Sequence, residues 1–212
     1  TEGVTPDDCP SVSGTSTLDR LGCFDADEDG FSNADPDWPL EYGADYFPND
    51  ATQWSDFDDD GFGDNWANAT WTDRKSSWPG EMLTDATTQD ACPTRSGTSW
   101  RDDILGCPDA DGDGYSNSGD SFANDATQFA DTDQDGFGDN ALGNLPDGCP
   151  SLYGDSSRGD LFGCPDADGD RWADQIDVFV NDLSQWNDSD GDGFGDSLIG
   201  FQGGACPITI GT

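Results

Sequence analysis

Residues 106–140 read GCPDADGDGYSNSGDSFANDATQFADTDQDGFGDN. The stretch contains two aspartate ladders, Asp109-Asp111-Asp113 and Asp131-Asp133-Asp135, each followed by a glycine. Three carboxylates at alternate positions, a sharp turn and then further oxygen donors form the layout of a loop wrapped around a hard cation. Calcium takes six to eight oxygens at about 2.3–2.6 Å, and flexible loops supply them well. Two carboxylates about 4 Å apart repel by roughly 4 kcal/mol at an effective dielectric near 20. Each ladder crowds three, so the pattern predicts bound calcium.

Working outward, the composition asks what holds such a chain together. Leu, Ile, Val and Phe make up only about 15% of the 212 residues and the net charge is -39, a combination that ordinarily specifies disorder. Metal ions and cysteines are the two available substitutes for a large core. Of the 46 acidic residues all but Glu2, Glu28, Glu41 and Glu81 are Asp, and most fall in register with a repeat. A merely salt-adapted surface would mix and scatter its acids. Seven basic residues and no basic stripe argue against a nucleic-acid partner. No stretch approaches the roughly 20 apolar residues of a membrane span. The chain has no histidine, which removes the usual general base and the Ser-His and Cys-His pairs. A paired-carboxylate hydrolase needs an acidic pair that stands apart, whereas these aspartates are used by the ladders. The reading is therefore non-enzymatic.

Internal repetition sets the organisation. Cys9-Pro10, Cys92-Pro93, Cys149-Pro150 and Cys206-Pro207 open the same pattern, at separations of 83, 57 and 57 residues. Each unit continues with a Gly/Ser/Thr-rich segment, a second cysteine, a first ladder, an N-D-x-[TS]-Q-[WF] segment and a second ladder. The repeats are placed at 1–91, 92–148 and 149–205, with 206–212 the start of an incomplete unit or a tail. The first repeat carries inserts near 34–42 and 65–90. The larger looks like a surface excursion, the kind of long loop that often carries function.

The first cysteines precede the second by a regular spacing: Cys9 and Cys23, Cys92 and Cys107, Cys149 and Cys164. A crosslink closing about 15 residues contributes roughly 3 kcal/mol in the chain-entropy model. Disulfides within a repeat are the favoured reading, with linkages between repeats and a zinc site as alternatives; zinc lacks its short Cys spacing and its histidines here. Disulfides imply an extracellular or cell-surface setting. Cys206 lacks a second cysteine, so it is free, intermolecular, or the edge of a longer array. Ile208-Thr209-Ile210 could add as a strand to a neighbour. Asn68-Ala69-Thr70 is a possible glycosylation site.

The expected fold is a mostly irregular, loop-rich, calcium-stabilised repeat array with short helical turns and few short strands, supported by disulfides. Asp50 to Gln53, Asp125 to Gln128 and Asp182 to Gln185 resemble capping boxes opening a helical turn. Four aromatics per repeat, such as Phe31, Phe47, Trp54 and Phe62, are expected to form a small apolar cluster.

Written as D-x-D-x-D-G-x-x-[DN]-x-x-D, the ladders give explicit ligand sets for about six ions, one per ladder. The first ladders offer Asp25, Asp27, Asp29, the Phe31 carbonyl, Asn33 and Asp45; Asp109, Asp111, Asp113, the Tyr115 carbonyl, Asn117 and Asp120; and Asp166, Asp168, Asp170, the Trp172 carbonyl, Asp174 and Asp177. Arg171 replaces the turn glycine in the last set, which predicts a strained loop. The second ladders offer Asp56, Asp58, Asp60, the Phe62 carbonyl and Asp64; Asp131, Asp133, Asp135, the Phe137 carbonyl and Asp139; and Asp188, Asp190, Asp192, the Phe194 carbonyl and Asp196. Their twelfth position is Ala67, Leu142 or Ile199, none of which can donate. Asp50, Asp125 and Asp182 are the nearest recurring oxygens that could complete them, or else they cap turns.

EF-hands are excluded, since no bidentate Glu closes the loops and no amphipathic helices flank them. The segments CPDADGDG, NDATQF and DTDQDGFGDN, with their counterparts in the other repeats, resemble thrombospondin type 3 repeats, and more closely the aspartate-rich repeats of secreted microbial proteins. The resemblance implies a fold strung on calcium ions outside the cell. The ladder-to-ladder segment is longer here and both cysteines precede the first ladder, so disulfide connectivity does not transfer. The functional expectation is a calcium-stiffened rod or a subunit of a self-assembling surface filament, partnered by its own copies or another extracellular protein. The alternative is a spacer module of a larger adhesin or enzyme.

Overall fold

A computed structural model describes residues 6–67, 70–102, 104–198 and 200. Asn68, Ile199, Cys206 and residues 208–210 lie outside the described residues. The chain divides into two compact units, Thr1–Asn117 and Ser118–Thr212; the division falls within the second sequence repeat.

Regular structure is minimal because glycine and aspartate turn the backbone every few residues. Among the described residues the helices are a 3₁₀ turn, η1 (Leu40–Tyr42), and one α-helical turn, α1 (Trp71–Arg74), both in the inserts of the first repeat. Strand pairing among the described residues is confined to isolated bridges such as Asn33 with Asp45 and Asp147 with Phe162. Among the described residues no helix is long and apolar enough to cross a membrane. Three disulfides join Cys9 to Cys23, Cys92 to Cys107 and Cys149 to Cys164, with Cα atoms 5.0–5.1 Å apart. Each second cysteine is held from within its loop: Ser16, Ser99 and Ser156, all buried, accept the backbone N–H of Cys23, Cys107 and Cys164 at 2.9 Å.

The interior differs from the expected aromatic cluster. The buried apolar residues are Cys23, Ala44, Cys107, Cys164 and Ala173, and the largest wholly buried side chains are Gln53, Gln128 and Gln185. A buried amide is tolerable only when its hydrogen bonds are made, and these are. Gln53 donates to the carbonyls of Asn65 (3.0 Å) and Thr87 (2.6 Å) and accepts from Asn65 N–H (2.9 Å). Gln128 does the same with Asn140 and Asn144, and Gln185 with Ser197. The capping-box glutamine therefore reaches forward across the second ladder instead of back to its own turn. The Asp50 and Asp125 segments form turns without helix. Aromatic rings sit half-buried on the outside of this polar centre, in pairs: Phe31 on Trp54 (5.0 Å) and Trp172 on Trp186 (5.9 Å).

Both inserts fold back. The first is anchored by Arg20, which pairs with Asp35 at 2.8 Å and lies 5.4 Å over the Trp38 ring. The second returns along its own ladder. Trp78 donates to the Asp64 carbonyl (3.0 Å), Trp66 and Trp78 meet at 5.1 Å, and Asp90 N–H ends on the Gly63 carbonyl (2.7 Å). The expected surface excursion is thus tied to the site region, and it delivers Asp90 there.

Candidate metal centres

Each ladder is a turn built by its own aspartates. The first carboxylate spans the loop, accepting the N–H groups near its fourth or fifth and sixth positions. Asp25 takes Glu28 (2.7 Å) and Gly30 (3.1 Å), Asp109 takes Gly112 (2.8 Å) and Gly114 (2.9 Å), and Asp131 takes Gln134 (2.7 Å) and Gly136 (3.0 Å). Asp56, Asp166 and Asp188 repeat the arrangement. The fifth-position aspartates accept the N–H of the seventh residue: Phe31, Phe62, Tyr115, Phe137, Trp172 and Phe194, all at 2.8–3.0 Å. The ninth position closes the turn on the second. Asn33 takes Ala26, Asn117 takes Ala110, Asp139 takes Thr132, Asp174 takes Ala167 and Asp196 takes Ser189.

Such a path requires left-handed backbone. Gly114 has φ 101°, and a Cβ there would come within 2.6 Å of Trp100. Arg171 occupies the same place with φ 82°, the strained geometry expected from its missing glycine.

Turn-making consumes one side of each ladder and leaves the other facing inward. Carboxylate oxygens of Asp25-Asp27-Asp29, Asp56-Asp58-Asp60, Asp109-Asp111-Asp113, Asp131-Asp133-Asp135 and Asp166-Asp168-Asp170 converge within 4.8 Å of one another in each set. Buried oxygens without any hydrogen-bond donor concentrate there. They are Oδ2 of Asp27, Asp29, Asp111, Asp113, Asp168 and Asp170, and both oxygens of Asp58 and of Asp133; Asp190 Oδ2 is a further one, in the Asp188 ladder. Buried polar atoms are ordinarily satisfied, and an unpaired buried charge is costly. The Arg20–Asp35 pair is the one ion pair found among the described residues, so basic side chains do not neutralise the ladders. Clustered, inward-facing, donor-less carboxylates fit a hard, oxygen-preferring cation. Burial and neighbouring charges push Asp29 and Asp58 up to about 6.

Two kinds of residue close the clusters. In the first ladders of the first and third repeats the expected twelfth-position residues come in from the same repeat. Asp45 is buried with Oδ2 unpartnered, and burial plus the charges of Asp29, Asp27 and Asp25 push it up to about 7. Asp177 is likewise buried and raised, by burial and by Asp170, Asp168 and Asp166. The Asp45 N–H bonds the Ser32 carbonyl (2.9 Å), so the nine-residue insert is looped out while Asp45 stays beside its ladder. Asp120 accepts Phe122 N–H at 2.6 Å, as Asp45 accepts Phe47 (2.8 Å) and Asp177 accepts Phe179 (2.6 Å).

In the second ladders the closing oxygens come from Asp90 and Asp147, which sequence reasoning missed. Asp90 is 1% exposed with Oδ2 unpartnered; burial and the charges of Asp60, Asp58 and Asp64 push it up to about 8. Asp147, also buried with Oδ2 unpartnered, is raised by burial and by Asp135, Asp133 and Asp139. Asp64, buried with Oδ1 unpartnered, joins the first of these sets. A signal was present: an aspartate stands two residues before Cys92 and Cys149 alike. Asp50, Asp125 and Asp182 instead bond their own turns. Asp50 takes Thr52 (2.6 Å) and Thr87 (2.5 Å), Asp125 takes Thr127 (2.7 Å), and Asp182 takes Ser184 (2.6 Å). Hydrogen bonds from the Thr127 side chain and backbone hold Asp125 below the usual carboxylate range.

The three disulfides and the metal-ready carboxylate clusters define a disulfide-supported, loop-rich protein of the oxidising, extracellular type. The chain matches no protein-family model and no curated protein sequence.

Proposed function

We propose that this is an extracellular calcium-binding structural protein, a calcium-stiffened rod whose surfaces suit self-assembly, with no catalytic role. The observation that carries the reading is the set of buried carboxylate oxygens without donors, gathered in each of the five ladder clusters named above and paired with no basic side chain among the described residues. A divalent ion taking six to eight oxygens would convert mutual repulsion into a crosslink. The ladders bear the resemblance to thrombospondin type 3 repeats, and the loop-rich fold, the polar interior and the disulfides agree with it. Ion binding and folding are coupled where no independent core exists. Near-UV circular dichroism of the non-reduced chain, with calcium and then with excess EDTA, tests this. Collapse of the aromatic signal on chelation and recovery on adding calcium is expected. A spectrum unchanged by EDTA would overturn the reading.

A further inference from the structure

Where the first repeat departs from the other two, its departures converge. A pocket of about 650 Å³ lies beside the second ladder of that repeat, within the size range of ligand sites. Phe31 and Trp54, stacked at 5.0 Å, are the part of its wall that all repeats could build. The other repeats carry aromatic residues at both places, Tyr115 and Phe129 or Trp172 and Trp186. The rest of the wall is peculiar to the first repeat. Leu40 and Glu41 come from the smaller insert and Pro79 from the larger. Tyr46 stands where the other repeats have Ser121 and Val178. Phe57 replaces Thr132 and Ser189, and Asp59 replaces Gln134 and Gly191.

The ladder turn does not ask for these residues. Thr132 and Ser189 donate to Asp139 and Asp196 at 2.6 Å, which helps to close their turns. Phe57 has no hydroxyl to make that bond, and its ring is 67% exposed; Leu40 on the same pocket is exposed as well. Grouped exposed apolar side chains mark contact surfaces. The Tyr46 hydroxyl donates to Asp59 Oδ1 at 2.8 Å, which holds a carboxylate against the aromatic wall. Both partners of that bond are found in the first repeat alone. Asp59 and Glu41 stand outside the ladder ligand sets, and no basic side chain lines the pocket.

Aromatic faces are negative and attract a cation within about 6 Å of the ring. Carboxylates at the same wall add to that attraction. Apolar surface together with negative charge fits a group that is apolar along its stem and positive at its tip, as lysine and arginine side chains are. A net charge of -39 draws a basic partner toward the chain. A second copy, with seven basic residues against 46 acidic ones, is repelled by the same field.

We propose that this pocket is a docking site for a lysine or arginine side chain of a basic partner protein. The inference goes beyond the calcium reading and does not depend on it, because Tyr46, Phe57, Asp59 and Glu41 are not ladder ligands.

Fluorescence anisotropy of a labelled, capped pentapeptide, with one lysine among glycines, tests it on the full chain in calcium chloride. Saturable binding is expected, and a peptide with norleucine in place of lysine should bind at least about tenfold more weakly. Phe57→Thr and Asp59→Gln install the residues of the second repeat. The turn accepts the second change, since Asp59 and Gln134 share φ values of 61° and 66°. Each variant should weaken the lysine peptide at least about threefold, the scale of one lost cation–π or charge contact. Near-UV dichroism checks that both variants fold. Phe57→Thr leaves the net charge unchanged, so wild-type affinity in that variant would reduce the binding to general attraction and overturn the inference. Equal affinity for the norleucine peptide would overturn it in favour of an apolar partner. Butylamine displacing the peptide at equal concentration would overturn it in favour of a small-amine site. Self-association in sedimentation velocity that Phe57→Thr abolishes would overturn it in favour of a second copy.

Discussion

The two ladders of one repeat make the same turn but are closed from different places. Asp45 and Asp177 reach the first ladders from within their own repeats, whereas Asp90 and Asp147 reach the second ladders from the opening of the next one. The third-position aspartates differ accordingly. Asp27, Asp111 and Asp168 each use one oxygen on a backbone N–H, at 3.4, 3.2 and 3.1 Å, while Asp58 and Asp133 keep both oxygens without donors. A cation in a first ladder would brace a repeat, and one in a second ladder would weld two repeats together. With a cation bound, the same loop would serve as brace or weld according to where its last carboxylate originates.

The sharpest way to break this comparison is Asp90→Asn set against Asp50→Asn. With calcium, losing Asp90 should destabilise by about 3–5 kcal/mol, the range for breaking a buried charge interaction, and should remove one calcium equivalent in calorimetric titration. In EDTA the sign reverses, because the substitution removes a buried, unpaired charge from the metal-free fold. Asp50→Asn should cost about 1 kcal/mol, as a lost cap does, with the calcium count unchanged. Equal effects on thermal unfolding would erase the distinction between ligand and turn residue.

The pH dependence extends the contrast. The raised values of Asp90 (about 8) and Asp45 (about 7) mean that the metal-free fold holds these protons more tightly than the unfolded chain does. Their stabilising contribution is full below about pH 4, the ordinary carboxylate range, and is lost as pH rises through 7 to 8. In EDTA, order followed by near-UV dichroism should therefore be greater at pH 5 than at pH 8. With calcium the order of preference should invert, since the ion competes with those same protons. A calcium-free chain that gains order toward pH 8 would contradict the arrangement.

A smaller effect should come from the ladder turn itself. Arg171→Gly relieves a non-glycine residue at φ 82° and should stabilise by about 1 kcal/mol, read as a rise in the thermal midpoint with calcium present. The reciprocal Gly114→Arg should cost more than that, because Trp100 occupies the space its Cβ would enter. If neither change moves the thermal midpoint, the left-handed turn is not what limits the loop.

Most of the local architecture was legible in the chain. Ladder turns are made by bonds spanning two to seven residues, as from Gly114 to Asp109 or from Ala110 to Asn117, so their geometry is contained in the spacing. Cysteine periodicity indicated crosslinks for the same reason. What escaped was non-local. Gln53 looked like a cap because the sequence near it fits one, yet its amide is held by Asn65 and Thr87, which the local pattern does not mention. Asp90 follows Asp64 by 26 residues and Asp147 follows Asp139 by 8, and that unequal separation hid a shared role. The sequence by itself determined a turn-rich chain of acidic loops that cannot close an apolar core. Only the tertiary structure decided which carboxylate completes each loop, because burial and charge convergence depend on how separate turns pack and not on their distance along the chain.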